Sequence, residues 1–281
     1  MIIDFHTHTF PDHIASAALA KLQRASHSAA FTDGTTAGLS RSMQLGGVDM
    51  SVVLPVATNP AKVPSVNDSS IRLNGQHGMI HFGCMHPLYE NWHDELGRIA
   101  RAGLKGIKIH PFYQDVNIDD PRFLRILERA GELGLIVVMH AGCDIGFPGV
   151  VRCSPQMTLN AIRQVGDVPL VLAHMGGWRN WDEVCALLCD TSVRLDTAFS
   201  LGQIPPLEEG YYTEEELQLL TDEAFCLMVR LFGSERILFA TDSPWMDQAA
   251  SAAHIRALPL TDEEKQNILG RNAQRLLRLQ A

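Results

Sequence analysis

The sequence predicts an α/β fold of the (β/α)₈ barrel class, and two patterns carry this prediction. Eight short apolar runs recur along the 281 residues, and some of them, such as residues 135–139, are almost continuously hydrophobic. Such runs are typical of strands that are buried on both faces of a parallel sheet. Helical patterns lie between the runs, and strand alternating with helix eight times indicates a barrel. A doubly wound sheet shares this alternation, but no G-x-G-x-x-G motif follows the first run.

The predicted strands are bounded by polar or metal-competent residues, and most of them end on a histidine or an aspartate. They comprise residues 2–8, 50–56, 79–86, 104–110, 135–140, 170–174, 193–196 and 237–242. No internal repeat, low-complexity linker or clear boundary interrupts the series. We therefore expect a single domain over residues 1–281.

Helix start signals support the alternation. Two of them pair a capping residue with a proline at the first helical position, and two more are capping boxes. They are Asp120-Pro121, Ser154-Pro155, Thr213-x-x-Glu216 and Thr261-x-x-Glu264. The stretch 61–76 is a weaker helical pattern, and the prolines at 55, 60 and 64 predict a loop-rich region there.

Charge and composition exclude several classes of partner. The formal net charge is −9, and no block of five or more like charges occurs, which argues against a nucleic acid or an anionic membrane. No apolar run is long enough to span a bilayer, and the short first run is no signal peptide. The six cysteines form no C-x-x-C pair, which indicates a reducing compartment and small buried thiols. We expect a soluble, cytoplasmic protein with a small-molecule substrate. The sequence does not decide whether the protein forms a homo-oligomer.

Three of the runs end on a set of side chains that suits one divalent ion. His6 and His8 close the first run, His140 the fifth and Asp242 the eighth. Imidazole and carboxylate are the usual non-thiolate ligands of catalytic zinc. In a barrel the carboxyl ends of the strands meet at the active-site face, so these residues are expected to converge. Alternation along a strand also makes His6 and His8 point the same way.

These motifs resemble the amidohydrolase superfamily, and within it the amidohydrolase-related group of metal-dependent barrels. The resemblance covers essentially the whole chain. Its signatures stand at Asp4-x-His6-x-His8, Gly106-Ile-Lys-Ile-His110-Pro, His140, Ala173-His174-Met-Gly-Gly177, Leu195-Asp196-Thr197, Thr241-Asp242-Ser-Pro244 and Asn272-Ala273.

The resemblance implies a role for each strand-end residue. His6, His8, His140 and Asp242 correspond to metal ligands, and Asp242 also exchanges a proton with the attacking water. His174 corresponds to a residue that orients that water in mononuclear relatives and binds a second metal in binuclear ones. Binuclear relatives carry a carboxylated lysine at the end of the fourth strand. Here that end is His110, and Lys108 lies two residues earlier. This departure favours one ion per chain, zinc or alternatively manganese.

The remaining candidates are expected to contact substrate. Lys108 and His110 belong to this group, although Lys108 could instead be a buried partner of Asp4 and His110 could instead bind the ion. Trp178, Arg179 and Trp245 lie in loops just past the sixth and eighth strands, and Arg179 could grip a carboxylate. Trp181 is expected to pack within its loop.

The function predicted from these residues is hydrolysis of a small amide, ester or lactone by a metal-activated water. The alternative is a metal-dependent non-oxidative decarboxylase of a small carboxylated substrate on the same site. A catalytically silent binding barrel is the rival from another class, and the intact ligand set argues against it.

Overall fold

A computed structural model describes residues 1–280, and its strands alternate with helices as the sequence predicts. The strands are β1 Ile3–Thr7, β2 Met50–Val53, β3 Met79–His81, β4 Gly83–Cys84, β5 Gly106–Ile109, β6 Ile136–Met139, β7 Leu170–Leu172, β8 Arg194–Asp196 and β9 Ile237–Leu238. The helices are α1 Asp12–Ser26, α2 Thr36–Gly46, α3 Val63–Leu73, α4 Trp92–Arg101, α5 Pro121–Glu132, α6 Pro155–Gln164, α7 Trp181–Leu188, α8 Glu214–Leu217, α9 Asp222–Phe232, α10 Gln248–Ala257, α11 Asp262–Gln266 and α12 Asn272–Leu277. A π-helical turn, Asn267–Arg271, joins the last two helices.

The chain divides into two compact units. Unit 1 consists of Met1–Val53 and the segment that begins at Asp196, and unit 2 is Leu54–Leu195. The expectation of a single domain over residues 1–281 therefore stays a prediction.

In unit 1, β1 lies between β2 and the segment around β9. β1 and β2 are parallel, with Ile3 opposite Met50. On its other side, the Phe5 amide donates to the Phe239 carbonyl at 2.8 Å. All five residues of β1 are buried, which explains why its sequence is apolar apart from the groups that build the site.

In unit 2, β4, β5, β6 and β7 form one continuous parallel ladder. Gly83 lies opposite Ile107, Ile107 opposite Val137, and Val137 opposite Leu170. Gly106 is required in β5 because a Cβ there would stand 2.2 Å from the Ile136 carbonyl oxygen. Parallel strands bring their carboxyl ends to one edge of the sheet, so the residues that follow β5, β6 and β7 share that edge.

The predicted helix starts are confirmed by their capping contacts. Asp120 and Ser154 each accept a backbone hydrogen bond at the first turn of α5 and α6. Both threonine capping boxes are also present, at the starts of α8 and α11. On α5 the apolar residues at helical spacing are buried, as expected for an amphipathic helix that packs on a sheet: Phe123, Ile126, Leu127 and Ala130.

The weak helical pattern at residues 61–76 corresponds to α3, and the chain around Pro55, residues 54–59, is loop, as the prolines predict. Pro64 lies in the first turn of the helix, where a missing backbone N–H breaks no helical hydrogen bond. Asn59 accepts from the Ala61 amide and starts a short 3₁₀ turn that leads into α3. The third predicted strand is interrupted at Phe82, which separates β3 from β4.

No helix within the described part of the chain is long and apolar enough to cross a membrane. All six cysteines are free thiols, as expected, but only Cys84, Cys153 and Cys226 are fully buried.

Candidate active site

Three donor groups converge in unit 1. The Nε2 atoms of His6 and His8 are 3.2 Å apart, and the Asp242 Oδ1 atom lies 3.3 Å from the first and 3.0 Å from the second. His6 is buried, whereas His8 and Asp242 keep 19% and 13% of their side-chain surface exposed. The cluster is therefore anchored in the core and open on one side, as a reaction centre requires.

The backbone explains why these three side chains meet. His6 and His8 are two residues apart at the end of β1, so they project to the same side, as predicted. The chain after β9 runs alongside β1, where the Asp242 amide donates to the His6 carbonyl at 2.8 Å and the His8 amide to the Ser243 carbonyl at 2.7 Å. Asp242 itself has φ +60°, a left-handed conformation that is unfavourable for a non-glycine residue by roughly 1–2 kcal/mol. Such strain is common at functional sites.

A second carboxylate lies behind His6. Asp196 Oδ2 is 2.9 Å from His6 Nδ1, and both side chains are almost completely buried. The other Asp196 oxygen accepts from the Ala198 amide at 3.1 Å, which fixes the carboxylate. If the His6 Nδ1–H donates to Asp196, its Nε2 lone pair faces the cluster, which is the arrangement that orients metal-ligating histidines.

The unit 1 cluster fits a divalent ion by donor chemistry and by spacing. Two imidazoles and one carboxylate suit zinc and its neighbours. Ligands held about 2.0–2.1 Å from a tetrahedral zinc stand about 3.3 Å apart. The three separations of 3.0–3.3 Å are close to this value. His6, His8 and Asp242 are thus brought together as the sequence predicted.

A second group of two imidazoles and one carboxylate lies in unit 2. Asp144 Oδ2 is 3.7 Å from His110 Nε2 and 3.5 Å from His140 Nε2, and all three residues are buried. The His110 and His140 rings stack with centroids 4.3 Å apart. This group also meets the geometric requirement for holding an ion, although its donors are further apart than those of unit 1.

His140 makes hydrogen-bonding contacts through both ring nitrogens. Its Nε2 atom lies 3.0 Å from the Cys143 carbonyl oxygen, and its Nδ1 atom lies 3.0 Å from His174 Nε2. The predicted role of His140 as a metal ligand stays a prediction, and ligation through Nε2 would require the contact with Cys143 to give way. Burial and the neighbouring Asp144 raise the pKa of the Cys143 thiol, although the Arg179 charge acts in the opposite direction.

His174 is held in a strained loop directly after β7. His174 and Met175 have φ values of +60° and +53°, and the indole N–H of Trp181 donates to the His174 carbonyl at 3.1 Å. Trp181 is the first residue of α7 rather than a loop residue, and this bond ties it to the loop after β7. The predicted role of His174, orienting water, stays a prediction.

The loop that carries Trp178 and Arg179 packs tightly against the segment after β6. The Trp178 amide donates to the Ala141 carbonyl, and a Cβ on Gly142 would stand 2.1 Å from the Trp178 nitrogen. The Arg179 guanidinium carbon lies 4.9 Å from the Trp178 ring centroid and 6.0 Å from that of Trp181. Stacking on these rings restrains the guanidinium and would preorganise it for an anion.

The other predicted substrate contacts fall in different surroundings. Lys108 is fully buried in β5, and His110 follows the same strand with its backbone N–H bonded to Gln114 Oε1 at 3.0 Å. In unit 1, Trp245 is half-buried, and its amide donates to the Asp242 carbonyl at 3.0 Å. Substrate binding by these residues and the pairing of Lys108 with Asp4 stay predictions.

Asp4 is a fully buried carboxyl group two residues before His6. Burial raises its pKa to about 6, although hydrogen bonds from Thr241, Gln248 and the His6 backbone act in the opposite direction. A charged or partly charged carboxylate at this depth must be compensated by donors.

Unit 1 also contains a cavity of about 230 Å³ beside β9. Its lining is largely apolar and includes Phe199, Phe239, Met246 and Thr241. Thr241 directly precedes Asp242, but the lining belongs mainly to the segments after β8 and β9 and to α10. None of His6, His8 and Asp242 lines this cavity.

Sequence reasoning missed the roles of Asp196 and Asp144. Asp196 ends a predicted strand and stands in the signature Leu195-Asp196-Thr197, but neither feature assigns it a partner. Asp144 lies four residues after His140, a spacing that carries no signal outside a helix. Both contacts depend on how the loops are folded.

Comparison with known proteins gives the family. The family model described as amidohydrolase matches residues 3–279. The chain belongs to the amidohydrolase family. The enzymes of this family are metal-dependent, and no curated protein matches the chain.

Solved structures of amidohydrolase-like barrels show the same fold at low sequence identity. An uncharacterised TIM-barrel protein from Bordetella bronchiseptica is 15% identical, with a TM-score of 0.72 over 99% of this chain and 98% of that one. A putative 2-pyrone-4,6-dicarboxylic acid hydrolase from Pseudomonas putida is 18% identical, with a TM-score of 0.67 over 100% and 98%. A variant of 5-carboxyvanillate decarboxylase from Novosphingobium aromaticivorans, solved with bound manganese, is 13% identical, with a TM-score of 0.69 over 99% and 97%. The predicted (β/α)₈ fold class is thus confirmed, and the amidohydrolase relatives include both a hydrolase and a decarboxylase.

Proposed function

We propose that this amidohydrolase is a hydrolase that uses one divalent ion, zinc or manganese, to cleave a small amide, ester or lactone. The observation that carries the proposal is the convergence of His6, His8 and Asp242, with Asp196 behind His6. An ion bound there supplies Lewis acidity, which polarises a carbonyl group and makes water more acidic. His140 is proposed as a further ligand on the strength of the family resemblance.

Each residue in and around the cluster has its own proposed role. His6 and His8 hold the ion through Nε2, and Asp196 keeps the His6 ring in the orientation that this requires. Asp242 is the only one of the three ligands that can carry a proton as a carboxylic acid. Its carboxylate takes the proton that the attacking water loses and donates it to the leaving oxygen or nitrogen, while the bond between that atom and the carbonyl carbon breaks. His174 is proposed to orient the water.

The alternative reaction is non-oxidative decarboxylation of a small carboxylated substrate. It is favoured by the likeness to the manganese-containing 5-carboxyvanillate decarboxylase, whose fold covers nearly the whole chain. The hydrolase that the chain resembles is named for a pyrone dicarboxylic acid, so both relatives act on planar rings that carry carboxylate groups. We propose the same chemical type of substrate here, with Arg179 as the group that pairs with a carboxylate and Trp178 and Trp245 as ring contacts. Lys108 and His110 are proposed as further substrate contacts.

A two-arm assay separates the reactions. Zinc- or manganese-loaded protein is incubated with 2-pyrone-4,6-dicarboxylic acid, simple esters and amides, and with 5-carboxyvanillate. Hydrolysis is followed by pH-stat titration for the esters and the pyrone and by amine release for the amides, and carbon dioxide release is followed by a coupled assay. We expect acid release without carbon dioxide. Carbon dioxide release from the carboxylated ring would instead show that the enzyme is a decarboxylase. Whichever activity is found should be lost when a chelator removes the metal.

Ligand variants test the metal site itself. Losing a hydrogen-bond partner of a metal ligand typically weakens metal binding by about 10–100-fold. His6→Asn and His8→Asn remove ligands themselves, so each should weaken metal binding by more than this. His140→Asn tests whether the fourth ligand is correctly assigned. His93→Asn is the matched control, because His93 is an exposed histidine on α4. If the wild-type protein takes up no divalent ion, the proposed function is wrong.

A further inference from the structure

Asp4 makes an unusually complete set of hydrogen bonds for a side chain that is not itself a ligand. Its Oδ1 atom accepts from the His6 amide at 3.2 Å and from the Thr241 amide at 3.0 Å. Its Oδ2 atom accepts from the Thr241 hydroxyl at 2.5 Å and from Gln248 Nε2 at 2.7 Å. The donors therefore come from three segments of unit 1: β1, the chain after β9, and the start of α10.

Two of these donors belong to the backbone of the metal site. The His6 amide is part of a proposed ligand residue, and Thr241 directly precedes the proposed ligand Asp242. The Thr241 hydroxyl, which donates to Asp4, also accepts from the Ser243 amide at 3.1 Å. Asp4 and Thr241 together thus hold the backbone on both sides of Asp242.

Asp242 needs such support because its backbone is strained. A non-glycine residue at φ +60° persists only where its surroundings impose that conformation. The bonds to the residues before and after Asp242 do so, and the same Asp4 carboxylate is tied to His6. A change at Asp4 would therefore alter the position of two ligands at once.

The orientation of Gln248 shows which groups in this network donate hydrogen bonds and which accept them. Its side chain is fully buried, and its amide nitrogen donates to Asp4 and, at 3.2 Å, to the Ser51 hydroxyl. Its Oε1 atom has no hydrogen-bond partner within residues 1–280. A buried acceptor left without a partner costs about 1–3 kcal/mol. The glutamine keeps this orientation because the Asp4 carboxylate accepts from its amide group.

We infer that Asp4 is a positioning residue, whose carboxylate sets the geometry of His6 and Asp242 around the bound ion. The inference rests on the proposed metal site. Asp4 acts through its hydrogen bonds rather than by touching the ion, since both of its oxygens are occupied by protein donors.

The test is Asp4→Asn, which keeps the shape of the side chain but places an NH₂ group where two donors already point. Cobalt(II) is the probe, because its visible absorption reports ligand geometry and its affinity is measured by competition with a chelator. We expect the dissociation constant for cobalt to rise by about 10–100-fold, the range found for outer-shell partners of metal ligands. The cobalt spectrum should change as well. A merely structural role would lower stability but leave the affinity and spectrum of the folded variant unaltered.

A rescue variant and a control sharpen the result. Asp4→Asn combined with Gln248→Glu exchanges the carboxylate and the amide, so the pair can bond again in the opposite sense, and cobalt affinity should recover in part. Asp49→Asn is the control, because Asp49 accepts from the Ile2 amide of unit 1 at 2.6 Å but is exposed and bonds to no ligand residue.

Thr241 offers a second route if Asp4→Asn fails to fold. Thr241→Val removes the hydroxyl and should weaken cobalt binding, whereas Thr241→Ser keeps the hydroxyl and should not. If the wild-type protein binds cobalt and the Asp4→Asn or Thr241→Val variant has the same cobalt affinity and spectrum, the inference is wrong, but the proposed function is not affected. Wild-type protein that binds no ion would overturn the proposed function and this inference with it.

Discussion

The two clusters of this chain have the same composition but different geometry. Each contains two imidazoles and one carboxylate: His6, His8 and Asp242 in unit 1, and His110, His140 and Asp144 in unit 2. In unit 1 the carboxylate oxygen lies 3.0 and 3.3 Å from the two Nε2 atoms, and in unit 2 it lies 3.5 and 3.7 Å away.

The contacts around the clusters differ even more. In unit 1, Asp196 holds the far nitrogen of His6, which leaves Nε2 directed at its neighbours in the cluster. In unit 2, both nitrogens of His140 contact hydrogen-bonding groups, the Cys143 carbonyl and His174. Asp144 is itself tied down by the Gly146 amide at 2.8 Å. Composition alone therefore does not define a metal site. The orientation imposed by the surrounding groups suits a cation in unit 1, whereas in unit 2 His140 must give up a hydrogen bond before it can act as the proposed further ligand.

The largest effect is expected from Asp242→Asn. The variant should fold, bind metal more weakly, and lose at least about 10²–10⁴-fold in kcat, because asparagine cannot carry the proton. Saturation with metal should not restore the rate, which is measured on the substrate found by the two-arm assay. Asp144→Asn is the matched change in unit 2 and should leave metal content unaltered. A metal-saturated Asp242→Asn enzyme that works at the wild-type rate would make Asp242 structural.

His174→Asn should lower the catalytic rate without lowering the metal content. We expect full metal content, measured by elemental analysis, together with a fall in kcat towards the lower end of the about 10²–10⁴-fold range for acid–base and water-orienting groups. If the ion is lost along with activity, His174 binds it directly, and its proposed role of orienting water is incorrect.

Asp196→Asn should have a smaller effect on the unit 1 cluster. The asparagine keeps the shape but weakens the bond that orients His6, so metal affinity should fall by about 10–100-fold. Asp190→Asn serves as the control, because Asp190 is exposed in the turn that follows α7. An unchanged zinc dissociation constant for Asp196→Asn would show that His6 needs no orienting carboxylate.

The smallest effect is expected from Trp181→Phe. This change removes the indole N–H bond to the His174 carbonyl and keeps most of the ring, so the free energy of unfolding should fall by about 0.5–1.5 kcal/mol. Urea denaturation measures this loss. A cobalt affinity equal to that of the wild-type protein would support a purely local role for Trp181 at the start of α7.

The sequence predicted those parts of the site that depend on local pattern. His6 and His8 face the same way because strand periodicity requires it, and Asp242 was found because it ends an apolar run. The capping residues of α5, α6, α8 and α11 were found for the same reason, since a cap acts within one turn. The helix α3 gave only a weak pattern because the prolines in this region argue for loop, although Pro64 lies in the first turn, where proline is tolerated.

The supporting contacts could not be predicted, because they join residues far apart in the chain. Asp196 is 190 positions from His6, and Gln248 is 244 positions from Asp4. No periodicity links such positions, and their pairing depends on how neighbouring strands and loops are arranged. The same holds for Asp144, whose orientation is set by the Gly146 amide rather than by its spacing from His140.

The most direct test of the account is to locate the ion. Crystals of zinc-loaded protein, measured across the zinc absorption edge, give the metal position independently of activity. We expect a peak about 2.0–2.2 Å from His6 Nε2, His8 Nε2 and an Asp242 carboxylate oxygen. A peak bound by His110 and Asp144, with none beside His6 and His8, would contradict the assignment of the metal site to unit 1.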